Sequence, residues 1–368
     1  MFSKSFQITL AIFLFCLFCV AARSQTPAPT PILDDDQPER VFAEEIKLNV
    51  SAYDLGGKFV GDVKKEDLVI SEDGRLNQAS SLRRVPANVL VVLDTGGEMR
   101  QAKKFKDTVV AARNLINALQ PDDSVAIMNY HDKVEIVAEW TNKDEAIKLL
   151  ETKANFGKRS VFTNALDAAT LFLQKTPRDN RHLVLITDGT DTFNNPSERS
   201  AETQNLLATD INVHVISYTK LELTSIEPRT KGVSNTPPRQ AMPDEIKATL
   251  PNGARDVALA PKFKTMSVDR ALIKVLKERK NALVESERYL TTLSKDTNGY
   301  LILPETTEEM LEKSAVIAGI IDSSYVLTYV PKRALSESPK GEVRSIEVTS
   351  RRPNLRVQAS RKLIVNER

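Results

Sequence analysis

The chain has 368 residues, 51 Lys+Arg against 49 Asp+Glu, and a formal net charge of +2. With 41% hydrophobic and 27% charged residues, this is globular composition, which excludes a disordered chain and a multi-span membrane protein. The near balance of charge removes the electrostatic basis for nucleic-acid binding.

Residues 1–24 read as a secretory signal peptide. Lys4 provides the positive start, Ile8 to Val20 an apolar run shorter than a membrane span, and Ala22-Arg23-Ser24 the small residues before a cut at Gln25. An uncleaved anchor is the alternative. Cys16 and Cys19 both lie inside this segment, so the processed chain has no cysteine and no disulfide. It loses Lys4 and Arg23, which leaves 49 basic against 49 acidic residues. No membrane span is expected after processing, and the expected location is periplasmic or extracellular.

Residues 25–41 form a Pro-rich linker, with Pro27, Pro29, Pro31 and Pro38 around Asp34-Asp35-Asp36. Residues 42–84 show a period near two. Gly56-Gly57 and Asp73-Gly74 are turn pairs, and the segment predicts a small antiparallel β unit that needs further strands. Residues 87–306 alternate strand and helix. The buried runs Val89–Leu93 and Leu183–Ile186, with helical spacing after each, predict an α/β fold with a doubly wound, Rossmann-like sheet. Helices are expected over 99–120, 143–153, 164–175, 198–208 and 268–293. Residues 220–266 hold six prolines and fit neither pattern, so they read as an insertion. Residues 307–368 carry a helix and then β segments that would pair with 42–84, placing the α/β domain inside a smaller β-rich domain.

Three stretches stand at strand ends or before a helix: Leu93-Asp94-Thr95-Gly96-Gly97-Glu98-Met99, Phe162-Thr163-Asn164, and Ile186-Thr187-Asp188-Gly189-Thr190-Asp191. Their order and spacing resemble the von Willebrand factor type A (VWA) domain. With Tyr53–Lys58, Glu66–Gly74, Val326–Tyr329 and Val343–Val348, the chain resembles the secreted VWFA-related (acidobacterial-type) family. That resemblance implies a metal-ion-dependent adhesion site built from D-x-S-x-S, a distant Thr and a distant Asp. Mapped residue by residue, the metal positions are Asp94, Glu98, Thr163 and Asp188, and the site is degenerate: Gly96 and Glu98 stand where serines are expected. Mg2+ or Ca2+ is the implied ion, and no ion at all is the alternative. Placing serines at 96 and 98 together is expected to strengthen divalent binding. Thr95, Gly96, Gly97, Gly189 and Asp191 are the candidate partner-binding residues, with an ordinary loop cap as the other reading of Asp191.

The resemblance implies a non-enzymatic protein for protein–protein or surface adhesion, with an unidentified protein or surface partner. A structural subunit of an envelope complex with a vestigial site is the alternative. An aspartic-type hydrolase rests only on Asp94-Thr95-Gly96, with no second such run. His131, His182 and His214 read as strand or surface residues, and Lys277-Glu278-Arg279-Lys280 as a solvated helix face.

Overall fold

The computed structural model describes residues 44–97, 105–176, 179–193, 195–231 and 270–365. The signal and linker segments, Glu98 and most of the insertion therefore lie outside the described residues. The described residues open with strands β1 (Ile46–Tyr53), β2 (Leu68–Glu72), β3 (Arg75–Asn77) and β4 (Ala79–Arg83). Asp73 and Gly74 turn the β2–β3 hairpin, both at positive φ (48° and 78°), the conformation such a two-residue turn requires.

The middle of the chain runs β5 (Asn88–Asp94), α1 (Phe105–Ala118), β6 (Ser124–Tyr130), β7 (Val134–Thr141), α2 (Lys143–Lys153), α3 (Phe162–Gln174), β8 (Arg181–Thr187), α4 (Pro196–Leu207), β9 (Asn212–Ser217), α5 (Thr219–Thr230), α6 (Arg270–Asp296), β10 (Leu301–Ile302) and α7 (Thr307–Asp322). These strands form one six-stranded sheet in the order β10-β9-β8-β5-β6-β7, parallel except for β7. Helices cover both faces, so a central strand must be apolar on both sides. In β5, Val89, Val91 and Leu93 pack with α1, α2 and α7, while Leu90 and Val92 pack with α3 and α6. This is the doubly wound α/β arrangement that the apolar runs predict. One expectation is corrected: residues 219–230, at the start of the supposed insertion, are helical. Among the described residues, no helix is long and apolar enough to cross a membrane.

The chain ends with β11 (Ser324–Tyr329), β12 (Val343–Ser350), β13 (Arg356–Gln358) and β14 (Ser360–Ile364). They join the first strands in two antiparallel sheets, β13-β1-β11-β4 and β14-β12-β2-β3. The N-terminal strands are thus not a unit of their own. β1 and β4 are bridged by β11, and β2 lies beside β12. Leu48, Val50, Ile70, Leu327 and Ile346, all buried, share the core between the two sheets. Inside this β sandwich, the buried Arg344 donates to Glu72 at 2.6 Å, and the Tyr329 hydroxyl donates to the same carboxylate at 3.2 Å.

The sandwich seals the amino-terminal edge of the α/β sheet. Arg361 of β14 is buried and donates to the carbonyls of Ile211 (3.0 Å), Thr297 (3.2 Å) and Thr209, and to Asn212 Oδ1 (3.3 Å). Asn298 donates to the Asn49 carbonyl at 2.7 Å and accepts from Ser360 N–H at 3.0 Å. His182 and His214 are not surface residues. They are buried, stacked at 5.3 Å, and linked Nδ1 to Nε2 at 3.0 Å, with Asn180 and β1's Asn49 against His182.

Candidate functional site

With the amino-terminal edge closed, the carboxyl edge is where an open α/β sheet offers a binding crevice. Asp94 ends β5 there, and Asp188 follows the last residue of β8. Asp94 is fully buried. Its Oδ1 accepts from Gly96 N–H at 3.2 Å and from the Ser160 hydroxyl at 3.3 Å. Its Oδ2 accepts from the Thr187 hydroxyl at 3.2 Å, and Thr187 is in turn 2.6 Å from the Tyr130 hydroxyl. Asp188 Oδ1 accepts from both the N–H (2.8 Å) and the hydroxyl (2.6 Å) of Thr190.

The other Asp188 oxygen is taken by a residue the sequence pattern did not point to. Arg279 of α6 donates from Nη2 to Asp188 Oδ2 at 3.0 Å. Its Nε and Nη2 grip Glu222 of α5 in a two-toothed pair at 2.9 and 2.8 Å, and its Nη1 donates to the Thr190 hydroxyl at 2.9 Å. The reading of residues 277–280 as a solvated face is corrected at Arg279, while Lys280 does reach outward to Glu227. A usable signal existed: Arg279 lies four residues before Leu283, and Ser286, Leu290 and Leu293 continue the same buried stripe.

Thr163, near the start of α3, donates its backbone N–H to Asp191 Oδ2 at 2.8 Å, and its buried hydroxyl has no partner among the described residues. Asp191 also accepts from Phe193 N–H at 3.0 Å, so it caps the amino end of α3 from a separate loop, where a negative charge is stabilising. Tyr218 closes the floor, its hydroxyl 2.6 Å from Thr108. Burial drives its phenol well above the usual range, and Asp94, Asp188 and Asp107 push the same way. One oxygen of Asp107, absent from the sequence-derived set, is buried without a partner among the described residues.

The structure therefore brings Asp94, Thr163 and Asp188 to one edge. Of the candidate partner-binding residues, Thr95, Gly96 and Gly189 are buried and present no surface, and Gly97 and Asp191 are partly exposed. Gly189, at φ +66°, lies under α6, where a Cβ would stand 2.6 Å from Ser286 Oγ.

The implied divalent ion can be tested against these residues. The Thr163 hydroxyl suits a ligand. Two other features do not: Asp188 already holds a guanidinium, and position 96 has no space for a side chain. A Cβ on Gly96 would lie 1.7 Å from the Arg159 carbonyl oxygen. No group of three or more His, Cys, Asp or Glu suited to a metal occurs among the described residues. Among the described residues, which do not include Glu98, the set does not fit the ion. Of the two serines expected to strengthen metal binding, the one at position 96 meets the Arg159 carbonyl, and position 98 lies outside the described residues. Gly96→Ser is instead expected to destabilise the fold by about 1–3 kcal/mol through overpacking, with no gain in Mg2+ affinity. Urea denaturation and calorimetric titration of this variant check both parts.

Compared with known proteins, residues 89–190 match the family described as von Willebrand factor type A domain. No curated protein matches the chain. Similar solved structures include an aerotolerance-related membrane protein from Bacteroides fragilis, 16% identical over 64% of this chain and 98% of that one, with a TM-score of 0.37. A von Willebrand factor type A protein from Catenulispora acidiphila is 9% identical over 88% and 74%, with a TM-score of 0.39. The manganese-loaded TRAP protein of Plasmodium vivax is 10% identical over 80% and 98%, with a TM-score of 0.37.

Proposed function

We propose that the chain is an exported, non-enzymatic binding module that meets a protein or surface partner at the carboxyl edge of its α/β sheet, a reading supported by the match of residues 89–190 to the von Willebrand factor type A domain. The apolar run within residues 1–24 supports export. The observation that carries the binding reading is a pair of exposed aromatic side chains beside the acidic site. Phe156 and Phe193 are 73% and 62% exposed.

Both stand on loops tied to that edge. The loop of Phe156 is fixed by Gly157 N–H to the Thr95 carbonyl at 3.2 Å, and the loop of Phe193 by Thr192 N–H to the Ser160 carbonyl at 2.8 Å. Phe156 leans on Phe105 at 5.7 Å, and the Arg159 guanidinium lies 5.4 Å from the centre of the Phe193 ring. Large aromatic side chains and arginine are the residues that dominate contact energies in protein interfaces. Their exposure costs solvation unless a partner covers them. The same contact would make the module an adhesion surface.

The test is capture from envelope extract by the native protein and by a Phe156→Asp/Phe193→Asp variant, each with and without chelator. The native protein is expected to retain a partner in both conditions, and the double variant to lose at least about 10-fold in retention, the loss of roughly 1.4 kcal/mol or more that one anchor residue carries. Equal retention by a correctly folded double variant would move the contact surface elsewhere.

A further inference from the structure

Asp188 and Glu222 are almost wholly buried, at 0% and 4% exposure, and with the Thr190 hydroxyl they form a set of oxygen donors. Oxygen donors of this kind are what a hard divalent cation takes as ligands. In this chain the space among them holds the Arg279 guanidinium, which makes four N–H···O contacts of 2.8–3.0 Å to all three side chains.

We infer that Arg279 is a built-in cation that takes the place of a divalent ion at this edge, and that removing it uncovers a divalent-cation site made by Asp188, Glu222 and Thr190. The argument rests on the site geometry and not on the partner-binding reading. A planar guanidinium matches a carboxylate in a two-toothed fork and never deprotonates at physiological pH. Covalently attached, it competes with any free ion without paying for association. An entering ion would have to displace these four contacts of a largely buried positive charge, which is costly.

The closed position at Gly96 points the same way, because it denies the edge one of the hydroxyls that the metal-binding design needs. Arg279 also does something an ion would do: it ties α5, through Glu222, and α6 to the end of β8, through Asp188. Once the side chain is cut back, two buried carboxylates face one vacated volume. Like charges so placed repel, and a doubly charged ion with oxygen ligands relieves them.

The experiment is calorimetric titration with Mn2+, with thermal melting in EDTA and in Mn2+, on the native protein, R279A, R279K and R279A/E222Q. The native protein and R279K, which keeps one positive charge, are expected to melt at the same temperature in EDTA and in Mn2+. R279A is expected to melt lower in EDTA and to recover by roughly 4 °C in Mn2+ at about 100 times its dissociation constant. Adding E222Q is expected to remove most of that recovery. Stoichiometric Mn2+ uptake by the native protein with a rise in melting temperature overturns the inference. So does an R279A chain, folded or not, that gains nothing from Mn2+.

Discussion

Replacing Arg361 with alanine is expected to cost about 3–5 kcal/mol of stability, the scale of leaving several buried acceptors without a donor. The side chain fills no carboxylate pocket. It satisfies three backbone carbonyls and one side-chain amide oxygen on the loops that enter and leave the α/β sheet. Without it these oxygens are buried with no donor, and each such loss costs about 1–3 kcal/mol. Burial draws the guanidinium down to about 10, which still leaves it charged at neutral pH. Lysine offers one compact ammonium where the guanidinium spreads its donors over four acceptors, so Arg361→Lys is expected to restore less than half of the loss. Urea denaturation of the full chain measures both, and a loss under about 1 kcal/mol for alanine would show that water can replace the side chain.

Stability is expected to fall steeply as pH drops below 6.5, because of His182 and His214. Burial holds His182 well below its ordinary value, helped by its neighbour, and burial lowers His214 to about 4. His214 is therefore neutral in the folded protein at pH 5 and His182 is shifted the same way, while the unfolded chain takes up protons from about 6.5. A base whose folded value is depressed leaves the protein at full strength above 6.5. Stability is then lost as pH falls toward 4, where the folded state begins to protonate as well. Between pH 7 and pH 5 His214 accounts for about 2 kcal/mol, and His182 adds to the loss in the same direction. Chemical denaturation at a series of pH values reads this directly. His214→Leu is expected to flatten the profile to about half its slope, and an unchanged slope in that variant would assign the acid sensitivity to other groups.

The α/β layer was legible because its strands are buried on both faces. Val89 to Leu93 and Leu183 to Ile186 cannot belong to a half-exposed sheet, and strand ends then locate Asp94 and Asp188. The closing hairpin was legible from Asp73-Gly74. What was lost is long-range pairing by charged residues that look ordinary in sequence. Arg344 and Arg361 sit in strands whose inward positions are otherwise Ile346, Val348 and Leu363. Their place in the alternation marks them as buried, but nothing local names Glu72 or the carbonyls of Thr209 and Ile211 as their partners. Arg279 shares this property. It falls on the buried stripe of α6, yet its acceptors are 91 and 57 residues away in sequence.

The sandwich built from both ends of the chain also sets an order of events in biosynthesis. Ile46 of β1 pairs with Tyr329 of β11, and Leu68 of β2 with Ser350 of β12. At about 5–20 residues per second, the roughly 280 residues between Ile46 and Tyr329 take on the order of a quarter of a minute to a minute to emerge. Through that interval β1 and β2 have no neighbour on those sides, while the central α/β layer can already assemble around β5, β6 and β8. Closure of the two sheets therefore waits for β11 and β12. A chain cut short anywhere before β12 keeps the open edge of β2, and unpaired edges of that kind invite aggregation and draw proteolysis.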